Sequence, residues 1–151
     1  MEWVAQSADE MRALAASLGK RVAPGDAVAL VGDLGAGKTV FVQGLAAGLG
    51  YPGPVTSPTF TLIHVYEGGR TTLFHADLYR LEREAELEDV GLDDIFRQDG
   101  VAVVEWADRF PHVMPEDRLE LRLEVVDAER RRVTPAAHGA RAAALLEAWV
   151  R

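Results

Sequence analysis

Residues 32–39 read GDLGAGKT and fit the pattern G-x-x-x-x-G-K-[ST]. This pattern constrains the fold more than any other stretch of the chain. It works only as the bend between a buried strand and a helix. Residues 27–31, AVALV, form the short apolar run that such a strand requires, and 40–49 read as the helix that follows. The expected fold is therefore α/β, with strand, loop and helix in immediate succession.

The chemistry of the loop follows from its residue types. A triphosphate needs several N–H donors converging on its oxygens. Backbone amides can converge where no Cβ blocks them, hence Gly32, Gly35 and Gly37. The helix start adds the positive end of its dipole. Lys38 can reach the outer phosphates, and the Thr39 hydroxyl can ligate a magnesium ion bridging them. The run Gly32, Asp33, Leu34, Gly35, Ala36, Gly37, Lys38, Thr39 and Val40 is expected to contact nucleotide, with Lys38 also acting in catalysis.

Length and composition fit one domain over 1–151, with hydrophobic content of 48% and charged content of 26%. No cysteine is present, which excludes disulfides, thiolate metal sites and a cysteine nucleophile. No secretory leader or membrane-length apolar run is visible, so a cytoplasmic location with no membrane association is expected. A net charge of −8 argues against a broad phosphate-gripping surface for nucleic acid. Residues 82–99 hold eight acidic residues against Arg83 and Arg97, a net of −6. They read as a solvated helix face, or alternatively as a docking face for a basic partner.

Ser7 and Glu10 form a capping-box pattern that starts a helix, and Gly19 stops it near Leu18. Lys20 then places a cation at its C-terminal end. Residues 48–58, rich in Gly and Pro, read as a loop. Residues 60–66 read as a strand that turns through Gly68-Gly69 into a paired strand at 71–76. Residues 82–97 read as helix broken near Gly91. Strands follow at 101–104, 119–126 and 133–137, then a helix at 140–150. The order predicts a three-layer P-loop NTPase-like α/β fold whose hairpin makes the sheet mixed.

A phosphate-bound magnesium needs an acid at the end of a strand beside the loop strand. Glu105, closing the apolar run 101–104, meets this need; the alternative is an exposed strand end. Alternation places His75 and Asp77 on one face, with Tyr79 there too if the strand continues. Asp77 there can orient or deprotonate the attacking water or hold a metal-bound water, or else form a surface pair with Arg80. Ser57 and Thr59 are candidates for a switch-like loop that senses the γ-phosphate, or else part of a Ser-Pro turn. Neither lysine lies in the N/T-K-x-D pattern of guanine readers, which favours ATP over GTP. The arginines 130–132 read as strand-end charges, with proximity to phosphate or to a partner as the alternative.

Together these segments resemble the TsaE (YjeE) ATPase family of bacterial tRNA threonylcarbamoyladenosine biosynthesis. The resemblance rests on GDLGAGKT at 32–39, VTSPTFTL at 55–62, HADLYRL at 75–81, GLDDIF at 91–96 and VEW at 104–106. It implies binding and slow hydrolysis of ATP with Mg2+. It also implies TsaB and TsaD subunits as partners and tRNA reached only through them. The implied product is modified adenosine 37 in tRNAs that read ANN codons, with the ATPase permitting transferase turnover. By the same resemblance Lys38 and Thr39 would hold phosphate and magnesium. Glu105 would be the second magnesium-side ligand, Asp77 the acid needed for hydrolysis, and Trp106 a neighbour of the nucleotide. Two other readings share the loop: a small-molecule kinase and a nucleotide-sensing module that binds partners.

Overall fold

The apolar run at the start of the motif is strand β2 (Ala27–Val31), buried at every residue. A strand without a polar face needs cover on both sides and neighbours along both edges. Strand β5 (Val101–Glu105) pairs with it in parallel on one edge, and β6 (Arg118–Val125) in parallel on the other. Beyond β5 lies parallel β4 (Leu73–Asp77), then antiparallel β3 (Ile63–Tyr66). Beyond β6 lie antiparallel β7 (Arg131–His138) and β1 (Trp3–Ala5). The result is one seven-stranded mixed sheet ordered β1-β7-β6-β2-β5-β4-β3. The computed structural model describes residues 1–58, 62–110 and 112–151.

Alternation along the strands sorts the core into two faces. Val28, Leu30, Val103, Leu119, Leu121 and Leu123 face α1 (Ala8–Gly19), α2 (Lys38–Gly48) and α5 (Ala140–Val150). Ala29, Val31, Ala102 and Val104 face the short helices α3 (Leu87–Val90) and α4 (Leu92–Arg97). This is the expected three-layer α/β arrangement. The second helical layer is thin, so β6 exposes Arg122 and Glu124 on either side of the buried Leu123. That is the half-buried strand its alternating sequence predicts.

Helix α1 begins as its cap predicts: Ser7 Oγ accepts from the Glu10 N–H at 3.1 Å. It packs on α2 at backbone distance. A Cβ on Gly44 would lie 2.3 Å from the Arg12 carbonyl oxygen, and one on Gly48 would lie 2.2 Å from that of Ala16. Two glycines four residues apart thus give α2 a flat face against α1. The break in 82–97 falls at Gly91, whose φ of 78° ends α3 and starts α4.

Two local expectations change. Strand β1 was not anticipated; three residues carry too little periodicity, and their order comes from pairing Trp3 with Val133. The hairpin turn is longer than Gly68-Gly69. Tyr66 pairs with Leu73, leaving six residues, 67–72, between the strands. The Arg70 N–H donates to the Leu49 carbonyl at 2.6 Å, and Gly69 passes close to that same oxygen. The connection is thus drawn onto the end of α2 and cannot close as a tight turn. Residues 60 and 61 of the expected strand lie outside the described residues.

Candidate nucleotide site

The parallel strands β2, β5 and β4 end side by side, and the loop 32–37 leaves β2 at that edge. In open α/β sheets this carboxyl edge is where ligands bind. Gly32 is demanded by a close approach: its Cβ would lie 2.2 Å from the Leu123 carbonyl oxygen. Gly37 takes the N-cap of α2 at φ 101°, and no side chain caps the helix start. The first amides of α2 therefore remain available to an anion. Ala36 is fully buried, whereas Asp33, Leu34 and Gly35 lie on the exposed crest of the loop.

Lys38 is buried, and its Nζ donates to the carbonyls of Gly32 at 2.6 Å and Asp33 at 2.8 Å. It also lies 4.0 Å from the centre of the Trp106 ring. Burial holds its pKa below the ordinary lysine range, and the carboxylates of Glu105 and Asp77 act against that shift. The lysine is thus folded back on its own loop, where its hydrogen bonds can pass to phosphate oxygens. Trp106 reaches this position through a left-handed backbone, φ 58°, directly after β5.

Glu105 is 3% exposed, which excludes the solvent-facing strand end. Thr39 Oγ1 donates to its two carboxylate oxygens at 3.2 and 3.3 Å. Adjacent ligands of a magnesium ion with bonds of about 2.1 Å sit roughly 3 Å apart. The pair therefore fits two neighbouring positions on one such ion. Among the described residues no group of three or more His, Asp or Glu forms a metal cage. A magnesium ion that draws its other ligands from phosphate and water needs none.

Asp77 lies directly across from Glu105 in the parallel register of β4 and β5. It is 6% exposed. Ser57 Oγ donates to its Oδ2 at 3.1 Å, and the Tyr79 N–H donates to its Oδ1 at 2.9 Å. Ser57 thus joins the site, while Thr59 lies outside the described residues. His75 shares the face of Asp77 as expected, but β4 ends at Asp77 and Tyr79 turns outward to stack on Trp106 at 4.8 Å.

Sequence reasoning missed the partners of His75 and left Arg131 between two readings. His75 Nε2 lies 2.5 Å from Glu105 Oε2, a contact between strands that no local pattern announces. Tyr66 lies behind it, its hydroxyl 3.0 Å from His75 Nδ1. Arg131 crosses from β7 to donate to the Gly35 carbonyl at 3.0 Å. The other two arginines of that run are strand-end charges as read: Arg130 pairs with Asp127 and Arg132 with Glu2. Beside the loop, on the Arg131 side, a hollow of about 310 Å³ is lined by residues including Met11, Val40, Glu129 and Arg131. No helix among the described residues is long and apolar enough to cross a membrane.

Comparison with known proteins gives one consistent result. A family model described as "Threonylcarbamoyl adenosine biosynthesis protein TsaE" matches residues 5–133. The tRNA threonylcarbamoyladenosine biosynthesis protein TsaE of Bacillus subtilis is 41% identical over 147 residues, 97% of this chain and 92% of that protein. The protein of the same name in Treponema pallidum is 40% identical over 136 residues, 90% of this chain and all of the other. In three dimensions the chain matches the crystal structure of Bacillus subtilis YdiB with a TM-score of 0.84 at 36% identity. That match covers 100% of this chain and 94% of YdiB.

Proposed function

The chain belongs to the TsaE family of threonylcarbamoyl adenosine biosynthesis proteins, and from that premise we propose that it is a magnesium-dependent ATPase that hydrolyses ATP slowly. It acts with TsaB and TsaD subunits in the modification of adenosine 37 of tRNAs reading ANN codons, where it permits repeated turnover by the transferase.

One observation carries this reading: Lys38, Thr39, Glu105 and Asp77 converge at the carboxyl edge of three parallel strands. Each has work that its position supports. Lys38 exchanges the loop carbonyls for phosphate oxygens and offsets the charge that builds there. Thr39 and Glu105 would hold a magnesium ion, which would supply positive charge against the phosphates. Asp77, steadied by Ser57 and the Tyr79 amide, orients a water toward the terminal phosphate. The hollow beside Val40 and Arg131 suits the adenosine, being apolar at Met11 and Val40 and polar at Glu129 and Arg131. The charge of −8 fits a subunit that reaches tRNA through partners rather than by its own surface.

The test is ATP binding and hydrolysis by the purified chain, alone and with TsaB–TsaD, for wild type and Lys38→Ala. The expected result is slow hydrolysis that changes on adding the partners. Loss of charge-assisted hydrogen bonds should weaken ATP binding by Lys38→Ala about tenfold to a hundredfold. Hydrolysis indifferent to TsaB–TsaD, or dependent on an added small-molecule acceptor, would overturn the assignment.

A further inference from the structure

Two adjacent residues of the loop at 49–58 reach the two buried carboxylates by separate routes. Ser57 Oγ donates directly to Asp77 at 3.1 Å. The neighbouring Thr56 is joined to Glu105 through two side chains, Tyr66 and His75. Its carbonyl accepts from the Tyr66 hydroxyl at 3.2 Å. That oxygen lies 3.0 Å from His75 Nδ1, and His75 Nε2 lies 2.5 Å from Glu105 Oε2. The chain is sealed from water: Tyr66 is 5% exposed, His75 0% and Glu105 3%. The half-buried His64 also approaches the Tyr66 hydroxyl, with its Nδ1 at 3.3 Å.

We propose that His75 and Tyr66 are positioning residues that fix the metal-side carboxylate Glu105 and tie it to the backbone of Thr56. The inference rests on the magnesium role given above to Thr39 and Glu105. Its physical basis is the count of hydrogens. A carboxylate only accepts, so His75 Nε2 carries the hydrogen between them and holds Oε2. Thr39 Oγ1 lies against both carboxylate oxygens, 3.2 Å from Oε1 and 3.3 Å from Oε2, so with Oε2 engaged by His75 it is Oε1 whose lone pairs are left for an ion beside that hydroxyl. Groups that hold a ligating carboxylate in this way set its orientation and its affinity for metal.

At the other end, Tyr66 has one hydroxyl hydrogen for two close acceptors, the Thr56 carbonyl and His75 Nδ1, with His64 Nδ1 a third neighbour at 3.3 Å. It cannot serve both fully. Drawing Glu105 toward a cation alters the grip of His75, and so alters how firmly Tyr66 holds Thr56. The loop at 55–58 and the metal-side carboxylate then respond together, while Ser57 carries the state of Asp77 to the same loop. In a low-dielectric interior such a chain is strong when complete and weak when any member is lost.

The experiment separates positioning from packing. ATP affinity is measured by calorimetry without Mg2+ and across a Mg2+ series, for wild type, His75→Asn, His75→Gln and Tyr66→Phe. Glutamine can present an amide N–H near the Nε2 position, whereas asparagine is too short to do so. His75→Asn should raise the half-saturating Mg2+ about tenfold or more, and His75→Gln should restore most of it. Mg2+-free ATP affinity should stay within about twofold in every variant. Exchange of the Val55, Thr56 and Ser57 amides should slow on adding Mg2+ and ATP to wild type, and respond much less in Tyr66→Phe.

Wild-type Mg2+ dependence in His75→Asn would overturn the proposal. So would equal losses with and without Mg2+, which mark a packing defect. If His75→Asn does not fold, the isosteric Tyr66→Phe decides: a wild-type exchange response there overturns the coupling. Failure of wild type to bind ATP with Mg2+ at all would instead bring down the nucleotide assignment on which this rests.

Discussion

The ammonium of Lys38 lies 4.0 Å from the centre of the Trp106 ring while it donates to the carbonyls of Gly32 and Asp33. Burial disfavours that charge and the carboxylates of Glu105 and Asp77 favour it, while the ring face and the two carbonyls supply its direct contacts. The contact exists because Trp106 takes a left-handed backbone at the end of β5, which turns its indole back over the loop.

This makes Trp106 a built-in reporter. The other two tryptophans, Trp3 and Trp149, lie against each other at 4.3 Å in the α1–α5 side of the core. Nucleotide that draws Lys38 onto phosphate should change emission from Trp106 alone. Trp106→Phe should abolish the ATP-dependent change, with calorimetric affinity kept within about tenfold, the scale of a cation–π contact. A persisting signal in that variant would refute the assignment.

Tyr66 supplies a pH prediction. Burial raises its phenol to about 12 from 10.0 in the free residue, with Tyr51 adding to the shift. Between those values the folded chain keeps a proton that the unfolded chain has lost. Stability is therefore full below pH 10 and falls as pH rises through that window. Tyr66→Phe should flatten this alkaline limb in urea unfolding followed from pH 9 to about 11.5. Equal slopes in both proteins would contradict the cause.

Much of the architecture was open to local reading. The apolar runs at β2 and β5, the Ser7 cap and the bounds of α5 are signalled by a few consecutive residues, and they stand where expected. The loop and the strand-end acids were legible because their chemistry demands particular residue types at particular places. His75 with Glu105, Tyr66 with His75 and Arg131 with Gly35 were not, because each joins distant elements whose register only the sheet decides. The six-residue turn was hidden for the same reason: its length is set by a hydrogen bond to the end of α2.

Gly44→Ala tests the helix pair beneath the loop. The new methyl would lie 2.3 Å from the Arg12 carbonyl oxygen and 2.7 Å from the Ala15 Cβ. Helix α1 must then move, at about 1–3 kcal/mol for overpacking of this kind. Thermal unfolding should show a drop of several degrees for a chain of this size. An unchanged Tm would show that the two helices have room to part.

Asp117 provides the last prediction. Its carboxylate accepts from the Arg141 and Ala142 amides at 3.0 and 2.9 Å, and so caps α5 from outside the helix. Gly139, at the N-cap itself, has no side chain for the task. Asp117→Ala should cost about 0.5–2 kcal/mol, and Asp117→Asn should recover part of it. Urea midpoints that leave both variants equal to wild type would show that the contact carries no stability.

The flat glycine seam between α1 and α2 has a mechanical consequence. Helices whose backbones already touch cannot move closer, so the helix that carries Lys38 and Thr39 is blocked against displacement toward α1. A ligand drawn to the loop would then find no outlet on that side. Its effect is expected where side chains rather than backbones meet, toward Trp106, Asp77 and the loop that bears Thr56 and Ser57. The seam would act as the fixed jaw of a vice, leaving the opposite flank as the surface on which a bound nucleotide could be read.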